Sequence, residues 1–274
     1  MIAVLLGLLA AVTNGAQAVI NKGLTGRYPA RQLIGALYVT NCLILLPFAP
    51  FVEWRWSPEI VALHLVSVAL MVVTAIAVWD LFDAGAASST TTASALSPIV
   101  TAVAAALILP GTFTPGQAVA AAVVSGGVLW ALQGAFGGMG RRGVLIRVLV
   151  TAAGNGLLTI TTRMLADLDV GVVETYVVRT ALAGAVSIAL FPPRDIPLRA
   201  TPRLLFRSLL TTLSFVFIIV GVQQGSPVVV QTLVATTPLF ALGIEAWRTR
   251  SAPPRRAVAA ALLVVGGVAI VLAG

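Results

Sequence analysis

The sequence predicts an all-α integral membrane protein: ten transmembrane helices in two inverted five-helix repeats. Three observations carry this. First, the 274 residues are 59% hydrophobic and only 9% charged, with a mean hydropathy of +1.03, whereas a soluble domain carries roughly 25% charged residues. Second, the apolar residues fall into continuous runs of about the 20 residues that a helix needs to cross a bilayer. They lie at 2–22, 32–52, 60–79, 84–108, 115–135, 144–165, 171–191, 204–222, 226–247 and 256–273. They lack the dyad alternation of a membrane barrel. Third, the stretch 85–130 repeats at 225–270 without a gap. Gly85 falls on Gly225, Pro98 on Pro238, and Gly126-Gly127 on Gly266-Gly267. Pro and Gly matches weigh more than Ala and Val matches, because those two residues are placed for backbone reasons.

The first run has no basic segment before it and reads as a span rather than a signal peptide. Its polar residues Asn14, Gln17 and Asn21 are spaced by three and four, which puts them on one helix face. The second span holds Tyr38 and Cys42. As the sole cysteine, Cys42 allows no internal disulfide and reads as a small core hydrophobe. The third carries His64 on a face with Ser67, Met71 and Thr74, read as structural, with proton relay the sharper alternative. Trp79 at its end reads as an interfacial anchor, and Asp80 and Asp83 as loop acids. The fourth opens on Gly85 and a hydroxyl run from Ser88 to Thr92, whose side chains can bond their own backbone. Pro98 kinks it, as Pro238 kinks the ninth.

A glycine-rich joint from Gly134 to Gly143 divides the chain into a first repeat at 1–136 and a second at 144–274, with 137–143 as linker. At an offset of 141, Asn14-Gly15 falls on Asn155-Gly156, Lys22 on Arg163 and Tyr38 on Arg179. Thr159 and Thr162 extend the face of Asn155. Gln231, in the ninth span, matches Thr91. Glu245 lies three residues before Arg248, the spacing of an interfacial ion pair. The glycine pairs of the fifth and tenth spans suit packing within the chain or across a homodimer, so monomer and homodimer both stay open.

Five spans per half is an odd number, so the second half enters the membrane inverted. Transporters built this way place substrate near the midplane between the repeats. The net charge of +8 sits in short segments between apolar runs, which suits anionic lipid headgroups rather than nucleic acid. With ten spans, one side receives Lys22, Arg27, Arg31, Arg141, Arg142, Arg147, Arg194, Arg199, Arg203, Arg207, Arg248, Arg250, Arg255 and Arg256; the other receives Arg55 and Arg163. The asymmetry puts the first side in the cytoplasm and both termini outside.

An ionisable residue inside a span is costly and is a functional candidate by default. Arg179 is the foremost: a cavity cation for an anionic group such as a carboxylate, or else a partner of Glu174 or a snorkelling side chain. Tyr38 supplies an aromatic wall or hydroxyl. Asn14 and Asn155 line a central pathway or bond neighbouring helices, and Gln231 completes the substrate-binding set. The chain has no metal-binding motif, no nucleophile with a base and no sign of a cofactor, which argues against an enzyme.

These features resemble the drug/metabolite transporter superfamily, and within it the EamA-like family. Halves of that family carry a proline in the fourth helix, a short turn and a glycine-rich fifth helix. Here the first half reads Ser97-Pro98, Leu109 to Gln117, then Gly126-Gly127; the second reads Thr237-Pro238, Ser251 to Pro254, then Gly266-Gly267. The customary acid of the turn is Thr112 in one half and Ala252 in the other. The first span also lacks the glutamate that related small multidrug transporters use for proton coupling, with Asn14 at its polar centre. The resemblance implies an inner-membrane secondary transporter, an exporter of a small polar metabolite with amino acids as the first candidate class. A non-transporting scaffold or sensor is the alternative. It also implies cytoplasmic termini, against the charge asymmetry.

Overall fold

The computed structural model describes residues 2–84, 91, 93–109, 114–131 and 141–250, with 252, 255, 259, 262, 263, 266 and 267 beyond them. Among these residues all regular structure is helical. The first half contains α1 (Ile2–Thr25), α2 (Ala30–Leu45), α3 (Pro58–Ala84), a 3-10 turn (Ala93–Leu96), α4 (Ser97–Ile108) and α5 (Pro115–Ala131). The second contains α6 (Arg141–Asp167), α7 (Val172–Leu190), α8 (Thr201–Gln224), α9 (Pro227–Val234) and α10 (Thr237–Thr249). Among the described residues seven helical segments are long and apolar enough to cross a membrane, with 93–108 as a shorter one. The chain is therefore a multi-pass membrane protein. Most of the fourth span's hydroxyl run (all but Thr91), most of the joint and most of the tenth span lie outside the described residues. Helix α6 begins at Arg141, three residues ahead of the expected sixth span.

Helix α1 shows how the sequence sets the packing. Its 24 residues run about 36 Å at 1.5 Å per residue, more than the roughly 30 Å of a hydrocarbon core. Ala3, Gly7, Ala10, Ala11, Gly15 and Ala18 form its buried stripe, while Leu5, Leu9 and Val12 stay exposed on the opposite side. Small residues let neighbouring backbones come close where lipid supplies no hydrophobic driving force. The stripe faces α8 and α10.

The two halves interlock through reciprocal contacts. Helix α1 of the first half packs on α10 of the second, and α6 of the second packs on α4 of the first. Both crossings come close at glycines that match in the sequence. A Cβ on Gly15 would lie 2.8 Å from Phe240 Cβ, and a Cβ on Gly156 would lie 2.8 Å from Val100 Cβ. Helices α2 and α7 pair through Gly35, which meets Ile188, and Gly184, which meets Tyr38 and Val39. Gly267 of the tenth span is buried, and a Cβ there would lie 2.6 Å from Val124 on α5. That glycine thus packs within the chain.

Each half also carries a short irregular turn just before its proline. In the second half α9 stops at Val234, and α10 starts at Thr237 with Pro238 in its first turn. Pro238 has no N–H for the Val234 carbonyl. The Thr237 hydroxyl donates to that carbonyl instead, at 2.6 Å, and the Thr236 hydroxyl donates to the Leu233 carbonyl at 2.7 Å. In the first half the 3-10 turn Ala93–Leu96 precedes Ser97-Pro98. Each proline lies in the first turn of the helical segment that follows its irregular turn. Irregular backbone at this depth is tolerated where it lines a cavity or is re-bonded by hydroxyls.

Candidate functional site

A cavity of about 220 Å³ is walled by both halves and reached by residues beside the irregular turn of each. Asn14, Tyr38, Asn155, Arg179 and Gln231 all line it. The strip Asn14, Gln17, Asn21 faces it from α1, and the strip Asn155, Thr159, Thr162 faces it from α6. Thr91 and Ser94 reach it beside the first turn, and Gln231, Val234 and Thr237 beside the second.

Hydrogen bonds tie α6 to residues beside both turns. Asn155 Nδ2 donates to Ser94 Oγ at 3.1 Å, and Thr159 Oγ1 donates to Gln231 Oε1 at 2.9 Å. The Tyr38 hydroxyl donates to the Met71 carbonyl at 3.1 Å, which holds the ring as a wall. Tyr176 and Thr212 share a hydrogen bond of 2.7 Å between α7 and α8. Gln17 Oε1 is buried and has no partner among the described residues.

Arg179 is 4% exposed. Its Nη1 donates to Thr162 Oγ1 at 2.7 Å and its Nη2 to Thr161 Oγ1 at 3.2 Å. The expected alternative partner, Glu174, is also buried, but its carboxylate accepts the backbone N–H of Arg55 at 3.2 and 3.3 Å. Arg179 therefore points its charge at neutral hydroxyls.

Three residues take places that the sequence reading did not give them. Arg207, counted among the flanking basic residues, is 6% exposed on α8 and lines the cavity. Its Nε donates to Asn21 Oδ1 at 2.9 Å, and its guanidinium lies 5.7 Å from the Trp79 ring centroid. Trp79, expected as an interfacial anchor, is 4% exposed and forms cavity wall beneath that guanidinium. The sequence signal was there: α8 needs its first turns to reach the membrane, which puts Arg207 about 9 Å into the helix at 1.5 Å per residue. Asp80, expected in a loop, sits in α3 and bridges the halves. Arg31 of α2 bonds it at 3.0 Å and Arg147 of α6 at 3.2 Å. On the same end, Lys22 Nζ donates to the Phe82 carbonyl at 2.9 Å and Gln32 Nε2 to Asp195 Oδ2 at 2.7 Å. These contacts clasp α1, α2, α3 and α6 together at the end of the bundle where the basic residues gather.

His64 is 2% exposed, and neither ring nitrogen has a partner among the described residues. Among those residues no group of three His, Cys, Asp or Glu side chains could hold a metal ion. The cavity can bind and orient a small molecule through amides, hydroxyls, aromatic faces and two guanidinium groups.

The family model that matches this chain is that of the EamA-like transporter family, over residues 1–133 and 142–273. No curated protein matches. A solved structure, described only as the crystal structure of a protein, is similar over 98% of this chain and 96% of its own. Its TM-score is 0.81 at 17% sequence identity, so the likeness concerns the fold alone.

Proposed function

The chain belongs to the EamA-like transporter family, and on that premise we propose that it is a secondary transporter of a small polar metabolite, working by alternating access. The observation that carries this is the cavity between the halves, with polar strips from α1 and α6 facing it and the proline-led turn of each half beside it. Substrate rests there against Asn14, Tyr38, Asn155, Arg179 and Gln231. Reciprocal packing at Gly15 and Gly156 supports ten spans in two inverted repeats, 1–136 and 144–274, because equivalent helices cross between the halves in equivalent ways. A helix can reorient about a proline-led turn more readily than where it is continuous, so Pro98 and Pro238 mark where each half flexes.

The direction is export, with amino acids as the first class to test. The membrane is the inner membrane of a bacterial-type cell, with the basic loops in the cytoplasm. The experiment is thermal stabilisation of the purified full chain across a library of amino acids and other polar metabolites, followed by flux in proteoliposomes for each hit. Stabilisation and flux by one member, lost in Arg179→Ala, is the expected result. A library that neither stabilises the protein nor crosses the vesicle membrane overturns the proposal.

A further inference from the structure

The two buried arginines that line the cavity are not equivalent. Their anchors lie far apart. Arg179 bonds Thr161, which is bonded to Ser67 of α3, whereas Arg207 lies over Trp79 of the same helix. From position 67 to position 79 is about 18 Å of helix at 1.5 Å per residue. Arg179 has both terminal nitrogens tied to protein, Nη1 to Thr162 and Nη2 to Thr161, and its Nε is enclosed. Arg207 is arranged the other way round. Its inner nitrogen, Nε, donates to Asn21 Oδ1 at 2.9 Å, and the Trp79 ring lies beneath the group. Among the described residues Nε makes the side chain's one hydrogen bond, so Nη1 and Nη2 have no partner. Nor does an acid lie within the 4.0 Å of an ion pair. Unlike the Arg179 Nε, these two nitrogens are not enclosed by protein. The side chain is buried and lines the cavity, so its outer edge opens there.

A guanidinium keeps its proton inside a protein. A buried charge without a counter-charge is expensive, and buried donors without acceptors call for a cause. A snorkelling arginine would keep its head in water. Arg207 is instead turned inward and held by a side chain of α1 and a ring of α3. The bond at Nε and the ring beneath fix the guanidinium plane before any ligand arrives. They leave free the edge on which the two terminal NH2 groups lie side by side. That edge can give parallel hydrogen bonds to the two oxygens of a carboxylate. One guanidinium balances one negative charge. This favours a carboxylate over a phosphate group, which carries about −1.5 to −2 at neutral pH.

We propose that Arg207 determines the cavity's specificity, its open fork taking a carboxylate of the cargo. Asn21 and Trp79 are the positioning residues that aim the fork. Arg179 keeps its place in the wall, with its own fork tied to Thr161 and Thr162. This inference rests on the transporter reading and narrows it to cargo that bears a carboxylate.

The test measures binding to the full chain in nanodiscs by titration calorimetry at constant pH and ionic strength. Four probes share a short apolar body and differ in head group: butyrate, butyramide, butylammonium and butyl phosphate. Butyrate should bind about tenfold or more tightly than each of the others. Arg207→Gln should weaken butyrate by about tenfold or more and flatten the ranking, with Arg207→Lys, which keeps the charge and loses the fork, between the two. Asn21→Asp sets a carboxylate against the same guanidinium from within the protein. It should raise Tm, because a buried charge gains its partner, and yet weaken butyrate by about tenfold or more, because that charge is already balanced. An arginine that only supports the fold would give the higher Tm with unchanged affinity. The Asn21 variant keeps the test decisive if Arg207→Gln does not fold. If butyramide or butylammonium binds best and crosses proteoliposome membranes, the transporter reading stands and this inference falls. It falls too if butyl phosphate binds best, if none of the four binds, or if Asn21→Asp or folded Arg207→Gln keeps full affinity for butyrate.

Discussion

Replacing Gly15 or Gly156 with alanine tests the packing that joins the two halves. A Cβ on Gly15 would lie 2.8 Å from Phe240 Cβ and 2.9 Å from Ala241 N. On Gly156 it would lie 2.8 Å from both Val100 Cβ and Cγ1, and 3.0 Å from the Ser97 carbonyl oxygen. Carbon atoms rest at about 3.5–4.0 Å, so each neighbour would have to retreat by roughly 0.5 Å or more. The neighbours are backbone atoms and side-chain roots, which cannot rotate aside, so a whole helix must shift. Overpacking of this kind costs about 1–3 kcal/mol. In a chain of this size a loss of 1 kcal/mol lowers Tm by roughly 2–4 °C, so each variant should melt about 2–12 °C below wild type. The assay is thermal unfolding of the purified full chain in one detergent. Gly243→Ala and Gly126→Ala are the controls, because a Cβ at either position meets nothing within 4 Å. A helical Gly→Ala change without a clash should be neutral or stabilise by up to about 1 kcal/mol. The reasoning fails if Gly15→Ala and Gly156→Ala melt at or above wild type, or if the controls fall as far.

Further expectations concern the clasp, the proline-led turns, the cavity wall and the topology. Asp80→Asn removes the acid that Arg31 and Arg147 share; the pairs are partly exposed, so stability should fall by about 1–2 kcal/mol, read as a lower Tm. An unchanged Tm would show that the clasp does not hold the bundle. Pro98→Ala and Pro238→Ala restore an N–H at each turn and should slow flux while leaving substrate affinity near wild type; equal flux would deny the turns a part in transport. Tyr38→Phe removes the hydrogen bond to Met71 and keeps the ring, a loss of roughly 1 kcal/mol in stability, whereas Tyr38→Ala should also weaken binding, and the reverse order would refute the wall. A cysteine introduced at Ile2, with Cys42 replaced by alanine, should react with an impermeant reagent in intact cells if the termini lie outside. Reaction only after permeabilisation would place them in the cytoplasm.

The sequence carried much of this fold, for identifiable reasons. The offset that aligned Asn14 with Asn155 and Tyr38 with Arg179 picked out residues that all line one cavity, because equivalent positions of related halves face a shared interface. Arg179 stood out as an arginine well inside an apolar run. Arg207 was legible only in its depth along the helix; it lies among other arginines, and the contact with Asn21 and Trp79 is what shows that it turns inward. Asp80 was hidden for a related reason: its partners come from α2 and α6, and no local spacing relates Arg31, Asp80 and Arg147. The prolines announced a disturbed helix, but whether a proline bends or breaks one depends on what re-bonds the freed carbonyl. At Val234 the Thr237 hydroxyl does so, and a two-residue turn at Ala235 and Thr236 separates α9 from α10.

Counterflow across proteoliposome membranes tests the central claim most directly. Vesicles loaded with an excess of unlabelled substrate are diluted into a trace of the labelled form, with no ion gradient or membrane potential. A carrier that exposes one site alternately to each side exchanges the two, so label should accumulate transiently above its external concentration and then decay. Labelled substrate that only equilibrates, with no overshoot, would indicate a pore. No uptake beyond that of protein-free vesicles, for a ligand that binds the cavity, would contradict transport itself.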